Sequence, residues 1–533
     1  MTTAEGGHPR VHPLLEVLGY TITFGQVKAN QGVDFDVLPG EVHALVGENG
    51  AGKSTLLKLI YGVYQPDSGE VMAGGKQVLI GSPADARALG IGMVFQDLRL
   101  VPALTVAENI GLALGGRFRL GLDRVAERIR AASEEHGLPV NPDRLVRHLS
   151  IGERQRTEIL KVLMTGARLI ILDEPTSVLA PQEVESLFAV IRRMRDNGYG
   201  VVIVTHKLNE VRAVADRVTV LRGGQVVLRG AKPADHDDAS LVEAMVGRRV
   251  PPLARPRTEV QETETPALVL QGVSADGDRG HEALHAVSLT VAPGEIVGVA
   301  GVAGSGQKEL CEVALGLRPP TTGTVTVSGT MLANNPVLGA LKAGAVGIPE
   351  DPVADSVVAG LTVLEHMPLG GRPAPRKGLG IDWAKLATRT REDDSRAGLR
   401  MAPLYRRVAE LSGGNIQRVV LTRALGGEST LVVAAYPSRG LDIANTRRTQ
   451  ELLLERAKQG AGVLVVSEDL DELISLADRI AVMHDGHLAG VVDAAGADRM
   501  AIGQLMLGGA EAAVDAGTTQ QDATTQQEEG SAA

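Results

Sequence analysis

Gly47-Glu48-Asn49-Gly50-Ala51-Gly52-Lys53-Ser54-Thr55 satisfies the pattern G-x-x-x-x-G-K-[ST] in full. A short, mostly apolar run, Val42-His43-Ala44-Leu45-Val46, precedes it, and a helical run, Leu56-Leu57-Lys58-Leu59-Ile60, follows. That is the strand–loop–helix setting of a polyphosphate-binding loop. Its glycines let backbone N–H groups turn toward an anion, and the helix N-terminus adds a favourable dipole. All nine residues, Gly47 to Thr55, are therefore expected around a nucleoside triphosphate. Lys53 is expected on its β- and γ-phosphates and Ser54 on a Mg²⁺ ion.

Composition narrows the field. At 533 residues the chain exceeds one ordinary domain, and the length suggests about three. Hydrophobic residues make up 44% and aromatic ones only 2%, so the cores must rest on Leu, Val, Ile and Ala, as buried parallel strands prefer. A net charge of −10 argues against a general nucleic-acid or anionic-membrane binder, and no nucleic-acid partner is expected. It leaves open docking onto a protein that sits in a membrane. Cys311 is the single cysteine, which excludes an internal disulfide framework or a cysteine-rich metal site. It reads as a small core residue rather than a nucleophile. No run of about 18 apolar residues marks a transmembrane helix. Met1 to Arg10 is polar and lacks an apolar signal region, so a cytosolic chain is expected.

The first half of the sequence returns in the second. Val37-Leu38-Pro39-Gly40-Glu41-Val42 matches Val291-Ala292-Pro293-Gly294-Glu295-Ile296, and Gly47 to Thr55 matches Gly301 to Glu309. Leu149-Ser150-Ile151-Gly152-Glu153 matches Leu411-Ser412-Gly413-Gly414-Asn415, and Leu172-Asp173-Glu174-Pro175-Thr176 matches Ala434-Ala435-Tyr436-Pro437-Ser438. The offset is 307 − 53 = 254 early in each copy and 412 − 150 = 262 later. One net insertion of 262 − 254 = 8 residues between the Gln96-type and Ser150-type positions accounts for both. Apolar runs such as Leu169-Ile170-Ile171-Leu172 alternate with helical stretches, an α/β pattern with a largely parallel sheet. The expected organisation is a first copy over 12–248, a linker over 249–266, a second copy over 267–508 and a disordered tail over 509–533.

These motifs, in this order, resemble the ATP-binding-cassette ATPases, over about residues 12–508. Leu411-Ser412-Gly413-Gly414-Asn415 is close to that family's signature. The resemblance implies two tandem P-loop NTPase (ATP-binding cassette) domains, each with a mixed, largely parallel sheet core and a helical subdomain. The two-cassette layout is similar to the importer ATPases for simple sugars and nucleosides. Ile348-Pro349-Glu350-Asp351 and the altered first signature Leu149-Ser150-Ile151-Gly152-Glu153 look like that subgroup. Ala434-Ala435-Tyr436 and Ser467-Glu468-Asp469 look like its nucleoside branch, in which the second cassette has lost its Walker B acids. Nucleosides are therefore favoured, with simple sugars of the ribose, galactose or xylose type as the alternative.

In the family two cassettes close head to tail, so each nucleotide site takes its core from one cassette and its signature and D-loop from the other. By that resemblance the first site is intact. Asp173 and Gln96, with Ser54, would hold Mg²⁺. Glu174 would polarise the attacking water, and His206 and Gln96 would read the γ-phosphate. Ser412, Gly413, Gly414 and Asp442 would complete the site from the second cassette. The second site is altered throughout. Gln307 stands for the loop lysine, Lys308 for the Mg²⁺ hydroxyl, Ala435 and Tyr436 for both acids, Glu350 for the glutamine and Glu468 for the histidine. Ile151, Glu153 and Ala180 alter the facing signature and D-loop. A site without a metal acid or general base should not hydrolyse ATP at a useful rate.

Other residues keep two readings. Phe24 lies 53 − 24 = 29 residues before Lys53, where the family stacks an aromatic on adenine, but core packing is a rival. Lys308 could recover some phosphate binding or be a solvated surface lysine. The Arg-rich pieces Arg117 to Arg130 and Arg389 to Arg400 read as helix faces rather than nucleic-acid patches.

The expected function is the ATP-hydrolysing, energy-coupling subunit of an importer. It would sit peripherally on the cytoplasmic face of the cell membrane, docked to two integral-membrane permease subunits and fed indirectly by an extracytoplasmic solute-binding protein. The rival class is a soluble two-cassette ATPase acting on ribosomes or DNA. The short, Pro-rich linker, the altered second site and the lack of cysteine modules all oppose it. Glu174→Gln should nearly abolish ATP hydrolysis while leaving ATP binding, and Tyr436→Ala should matter far less. Comparable losses of turnover in the two variants would contradict a single working site.

Overall fold

The computed structural model describes residues 12–508 apart from 115–120, 178, 252, 254–264, 279, 334–335 and 371. The tail over 509–533, Arg117 to Leu120 of the first Arg-rich piece, and most of the linker lie outside the described residues. The chain forms two compact units, where length alone suggested about three. One holds residues up to 252 together with the segment Gly440–Thr446, and the other holds the rest.

The first unit is built on two sheets. A six-stranded sheet has the order Gln225–Ala231, Arg217–Arg222, Val42–Val46, Gly200–Thr205, Leu169–Asp173, Ile91–Val94. Every pair in it is parallel except the hairpin at the Gln225–Ala231 edge. The second sheet is four-stranded and antiparallel, in the order Val27–Val37, Leu15–Phe24, Ser68–Ala73, Lys76–Val78. The parallel strands are buried on both faces, which is why they read as continuous apolar runs without alternation. Alternate residues still serve different cores. Leu169 and Ile171 pack toward the antiparallel sheet and the helix Lys53–Ile60. Ile170 and Leu172 pack on the opposite face, with Ile110, Ile129 and Ile159 of the helices Val106–Ala113, Leu122–His136 and Ile151–Met164. Those three helices form the helical subdomain.

The second unit repeats the plan. Its six-stranded sheet runs Ala345–Ile348, Leu431–Ala435, Gly462–Val466, Ile296–Gly301, Arg479–His484, His487–Asp493, again with one antiparallel edge hairpin. Its helices Val363–His366, Trp383–Ala397 and Gly413–Leu425 have a small core of their own, including Leu364, Leu386 and Val419. The eight inserted residues are spread along one interval. Helix caps Thr105 and Thr362 are offset by 362 − 105 = 257, and helix-ending Gly137 and Gly398 by 398 − 137 = 261. The short helix Pro352–Asp355 and the hairpin Arg376–Lys377/Gly380–Ile381 lie in that interval. Arg389 and Arg396 lie on the helix Trp383–Ala397, where Arg389 donates to the Pro373 carbonyl and Arg396 pairs with Asp393. Cys311 is buried in the second unit's core, and burial pushes its thiol up to about 12, so it is no nucleophile.

Leu45 is fully buried between the sheet and the helix Lys53–Ile60. Leu45→Ala should cost about 2–5 kcal/mol of stability, read from urea unfolding of the full chain. An unchanged midpoint for the first unit would contradict this packing.

Candidate functional site

The central parallel strands of the first unit end in register. Val46 pairs with Thr205, and Asp173 with Val204, so the loop Gly47–Gly52 and the residues after Asp173 and Thr205 emerge along one edge. The loop's geometry demands its glycines. Gly52 caps the helix Lys53–Ile60 at φ 102°, and a Cβ there would collide with the Ala29 carbonyl. Ser54 and Thr55 begin the helix, with Ser54 exposed. Lys53 is buried and donates to the Gly47 carbonyl at 2.7 Å and the Glu48 carbonyl at 3.1 Å. Burial draws its pKa below the usual lysine value, against the opposing pull of Glu174, Asp173 and Glu48.

Three of the expected residues meet directly. Gln96 donates from Nε2 to Glu174 Oε2 at 3.2 Å, and His206 Nδ1 lies 3.3 Å from Glu174 Oε1. The hydrogen bond with His206 holds the Glu174 carboxyl below its ordinary pKa although burial opposes it. This is an ionised carboxylate between a glutamine and a histidine, able to accept a proton from water. Asp173 behaves oppositely. Burial, and then the adjacent Glu174, raise it to about 6, with Lys53 and Lys58 pulling it back.

Ser54, Gln96 and Asp173 offer a hydroxyl, an amide carbonyl and a carboxylate, an all-oxygen set that suits Mg²⁺. A divalent cation would also hold the half-buried Asp173 ionised. Among the described residues no group of three or more His, Cys, Asp or Glu could hold a metal unaided. Phosphate oxygens and water would have to complete the shell.

Phe24 ends its strand 45% exposed, with its ring centroid 5.2 Å from that of Tyr64. Phe24 is therefore not a buried core residue, and nearly half of it is exposed to solvent. The two signature helices differ at their N-termini. In the first unit Ser150 and Glu153 form a reciprocal capping box, with Arg144 on the same carboxylate at 2.8 Å. The helix N-terminus there is already occupied by its own anion. In the second unit Ser412 caps the helix Gly413–Leu425 without a side-chain bond to the backbone, and Asn415 donates to its hydroxyl at 2.9 Å. Gly413 is exposed and Gly414 half-buried, leaving N–H groups for an external anion. Asp442 accepts from the Asn445 backbone at 2.8 Å, in the segment grouped with the first unit.

Sequence reasoning missed one pair of residues. Glu210, 4% exposed, accepts from Thr205 Oγ1 at 2.6 Å and from Thr176 Oγ1. It ties the turn after Glu174 to the strand end before His206. Glu472 does the same in the second unit, accepting from Ser467 Oγ at 2.6 Å and Ser438 Oγ at 2.5 Å. The signal was present, since both acids lie four residues beyond the His206-type position, at 206 + 4 = 210 and 468 + 4 = 472. Among charged helix residues nothing marked them as buried.

The chain resembles known proteins in sequence and in fold. The ABC transporter family profile matches residues 30–177 and 284–435. A glucose import ATP-binding protein of Haloferax volcanii, TsgD13, is 39% identical over 95% of this chain and 98% of its own length. A ribose import ATP-binding protein of Rubrobacter xylanophilus, RbsA 1, is 41% identical over 95% of this chain and 100% of its own. A nucleoside import ATP-binding protein of Lactococcus lactis subsp. cremoris, NupA, is 37% identical over 93% and 98%. The archaeal ribosome recycling factor aABCE1, solved with the ribosomal stalk protein aP1, shares the fold. It has a TM-score of 0.58 at 20% identity, over 87% of each chain. The chain belongs to the ABC transporter family, and it is an ATP-binding ATPase of two tandem cassettes.

Glu210→Ala should lower kcat for ATP about tenfold with KM changed less than about twofold, because it frees the turn carrying Glu174 rather than the phosphate loop. Glu210→Gln should restore part of the rate. A lowered unfolding midpoint with a matching loss of active enzyme, unrescued by glutamine, would point to general unfolding, and a rise in KM equal to the fall in kcat would place the effect on the phosphate loop instead.

Proposed function

We propose that this chain is the energy-coupling ATPase of an importer, with one hydrolytic and one non-hydrolytic nucleotide site, and that the transported solutes are nucleosides. The observation that carries the one-site reading is the cluster Gln96–Glu174–His206 beside Lys53, set against Glu350, Tyr436 and Glu468 at the matching positions. Glu174 takes the proton of the attacking water, oriented by Gln96 and His206. Lys53 exchanges the loop carbonyls for phosphate oxygens, and Phe24 packs on the adenine. Ser54, Gln96 and Asp173 would hold Mg²⁺, which when bound would supply a Lewis acid that offsets charge on the phosphates. Ser412, Gly413, Gly414 and Asp442 complete this site. The contrast between the open helix N-terminus at Ser412 and the self-capped one at Ser150 supports that assignment.

The two cassettes span 12–248 and 267–508. Nucleotide-driven closure and reopening act on two membrane permease subunits, which take solute from an extracytoplasmic binding protein, with this chain peripheral on the cytoplasmic face. No helix among the described residues is long and apolar enough to cross a membrane, which accords with separate permeases. The second cassette's Ala435–Tyr436 and Ser467–Glu468 favour nucleosides. The ribose and glucose importers among the relatives give the sugar reading comparable sequence support.

The test is thermal stability of the binding protein encoded beside this chain, against nucleosides and simple sugars. A shift with nucleosides is expected, and a shift only with sugars would replace the solute and keep the mechanism. In vesicles holding this ATPase and its permeases, the liganded binding protein should raise ATP hydrolysis several-fold. Hydrolysis that never responds would remove the importer reading.

A further inference from the structure

The second cassette retains a cavity of about 410 Å³ where the first has its nucleotide loop. Its backbone still fits an anion. Gly306 caps the helix Gln307–Ala314 at φ 95°, matching Gly52. The side chains around that backbone have reversed their charge. Asp278, Glu282, Glu309, Glu350, Glu468 and Asp485 line the cavity, against one lysine, Lys308.

Each contact a nucleotide would need is replaced or already taken. Gln307 occupies the lysine position and turns its amide back into the loop, donating to the Val302 carbonyl at 3.0 Å. That is the counterpart of one bond Lys53 makes, but without a charge to transfer to phosphate. Lys308 is held outside the loop by Asp278 at 2.7 Å, with Glu312 at 3.8 Å. Thr23 pairs with Lys28 and Asp276 with Glu282, so strand register places Gly277, not an aromatic residue, where Phe24 stands in the first cassette. No aromatic ring is therefore offered to an adenine there, and Asp278, the next residue, also grips Arg318. Lys308 and Arg318 together hold the Asp278 carboxyl down at about 2. The nearby Arg439 pairs with Glu350 at 3.3 Å and lies over the Tyr436 ring at 5.8 Å. Lys308, Arg318 and Arg439 are thus all spent on acids at or beside the cavity. Glu350 and Glu468 stand at the positions of Gln96 and His206, so two carboxylates face the cavity where the first cassette has a neutral amide and an imidazole. No acid equivalent to Asp173 remains to recruit a neutralising Mg²⁺, since Ala435 fills that position.

We propose that the second cassette's loop takes no nucleoside triphosphate, so that the whole chain binds a single MgATP. The altered cassette is then a folded partner that supplies the Ser412 helix and keeps its own cavity closed to ATP by internal ion pairs. This resolves Lys308 as a structural cation paired with Asp278. The inference rests on Lys53 and Glu174 marking the working site.

The test is calorimetric titration of the full-length Glu174→Gln chain with MgATP. One MgATP per chain is expected. Adding Lys308→Ala should leave the stoichiometry and keep Kd within about twofold, and adding Lys53→Ala should remove the site. Two MgATP per chain, or a second class of sites lost with Lys308→Ala, would overturn the proposal while leaving the working site in place. A single site that survives Lys53→Ala would overturn the proposal and the working-site assignment together. Photolabelling with 8-azido-ATP gives an independent readout that does not depend on folding of a variant. Label confined to peptides of residues 12–248 is expected, and label on peptides around Asp278 would sink the proposal.

Discussion

The register of three parallel strands governs the rest of the first unit. Val42–Val46 sits between Arg217–Arg222 and Gly200–Thr205, with Leu169–Asp173 one strand further. Because parallel pairing brings all their carboxyl ends to the same edge, Lys53, Asp173, Glu174 and His206 converge although they are far apart in sequence. Any slip of one residue in that register would exchange the two cores, since Leu169 and Ile171 face one and Ile170 and Leu172 the other. Burial on both faces makes that slip costly, and so protects the spacing of the site.

The internal copy separates what the fold needs from what the chemistry needs. Glu174 and Tyr436 both adopt a left-handed backbone, at φ 45° and 47°. Each donates its N–H to the neighbouring strand, to Val204 at 3.0 Å and Val466 at 2.9 Å. The strain persists where the carboxylate has gone, so it belongs to the strand-to-turn geometry and not to catalysis. The buried Glu210 and Glu472 persist for a similar reason: each gathers hydroxyls from two loops that the sheet alone would leave independent. By contrast Lys53, Asp173, Gln96 and His206 are replaced together in the second copy, which is the pattern expected of residues that serve a ligand.

Much of this was legible beforehand. The phosphate loop, the tandem repeat and the 254-to-262 change of offset follow from short motifs whose backbone demands are specific, such as a glycine where Gly52 takes φ 102°. Phe24 was not decided by spacing, because a strand end can point an aromatic ring either way, and only its 45% exposure excludes the core. Glu210 was invisible because its burial depends on Thr176 and Thr205 arriving from other segments. The Ser150–Glu153 box was equally hidden. Its sequence fits a capping box, yet the altered signature read only as a lost one until the carboxylate was seen closing on the helix N-terminus.

The sequence by itself determined the class of fold, the duplication and the list of residues that could meet a triphosphate. Those features are local, resting on strand, loop and helix segments of a few residues each. Tertiary structure alone decided which charges are available. Lys308 is a free cation in the sequence and a neutralised one beside Asp278 and Glu312. Asp173 and Glu174 are adjacent acids in the sequence, yet burial raises one and His206 lowers the other. The physical reason is that a charge's energy depends on its depth and its partners, and both are set by segments distant in the chain.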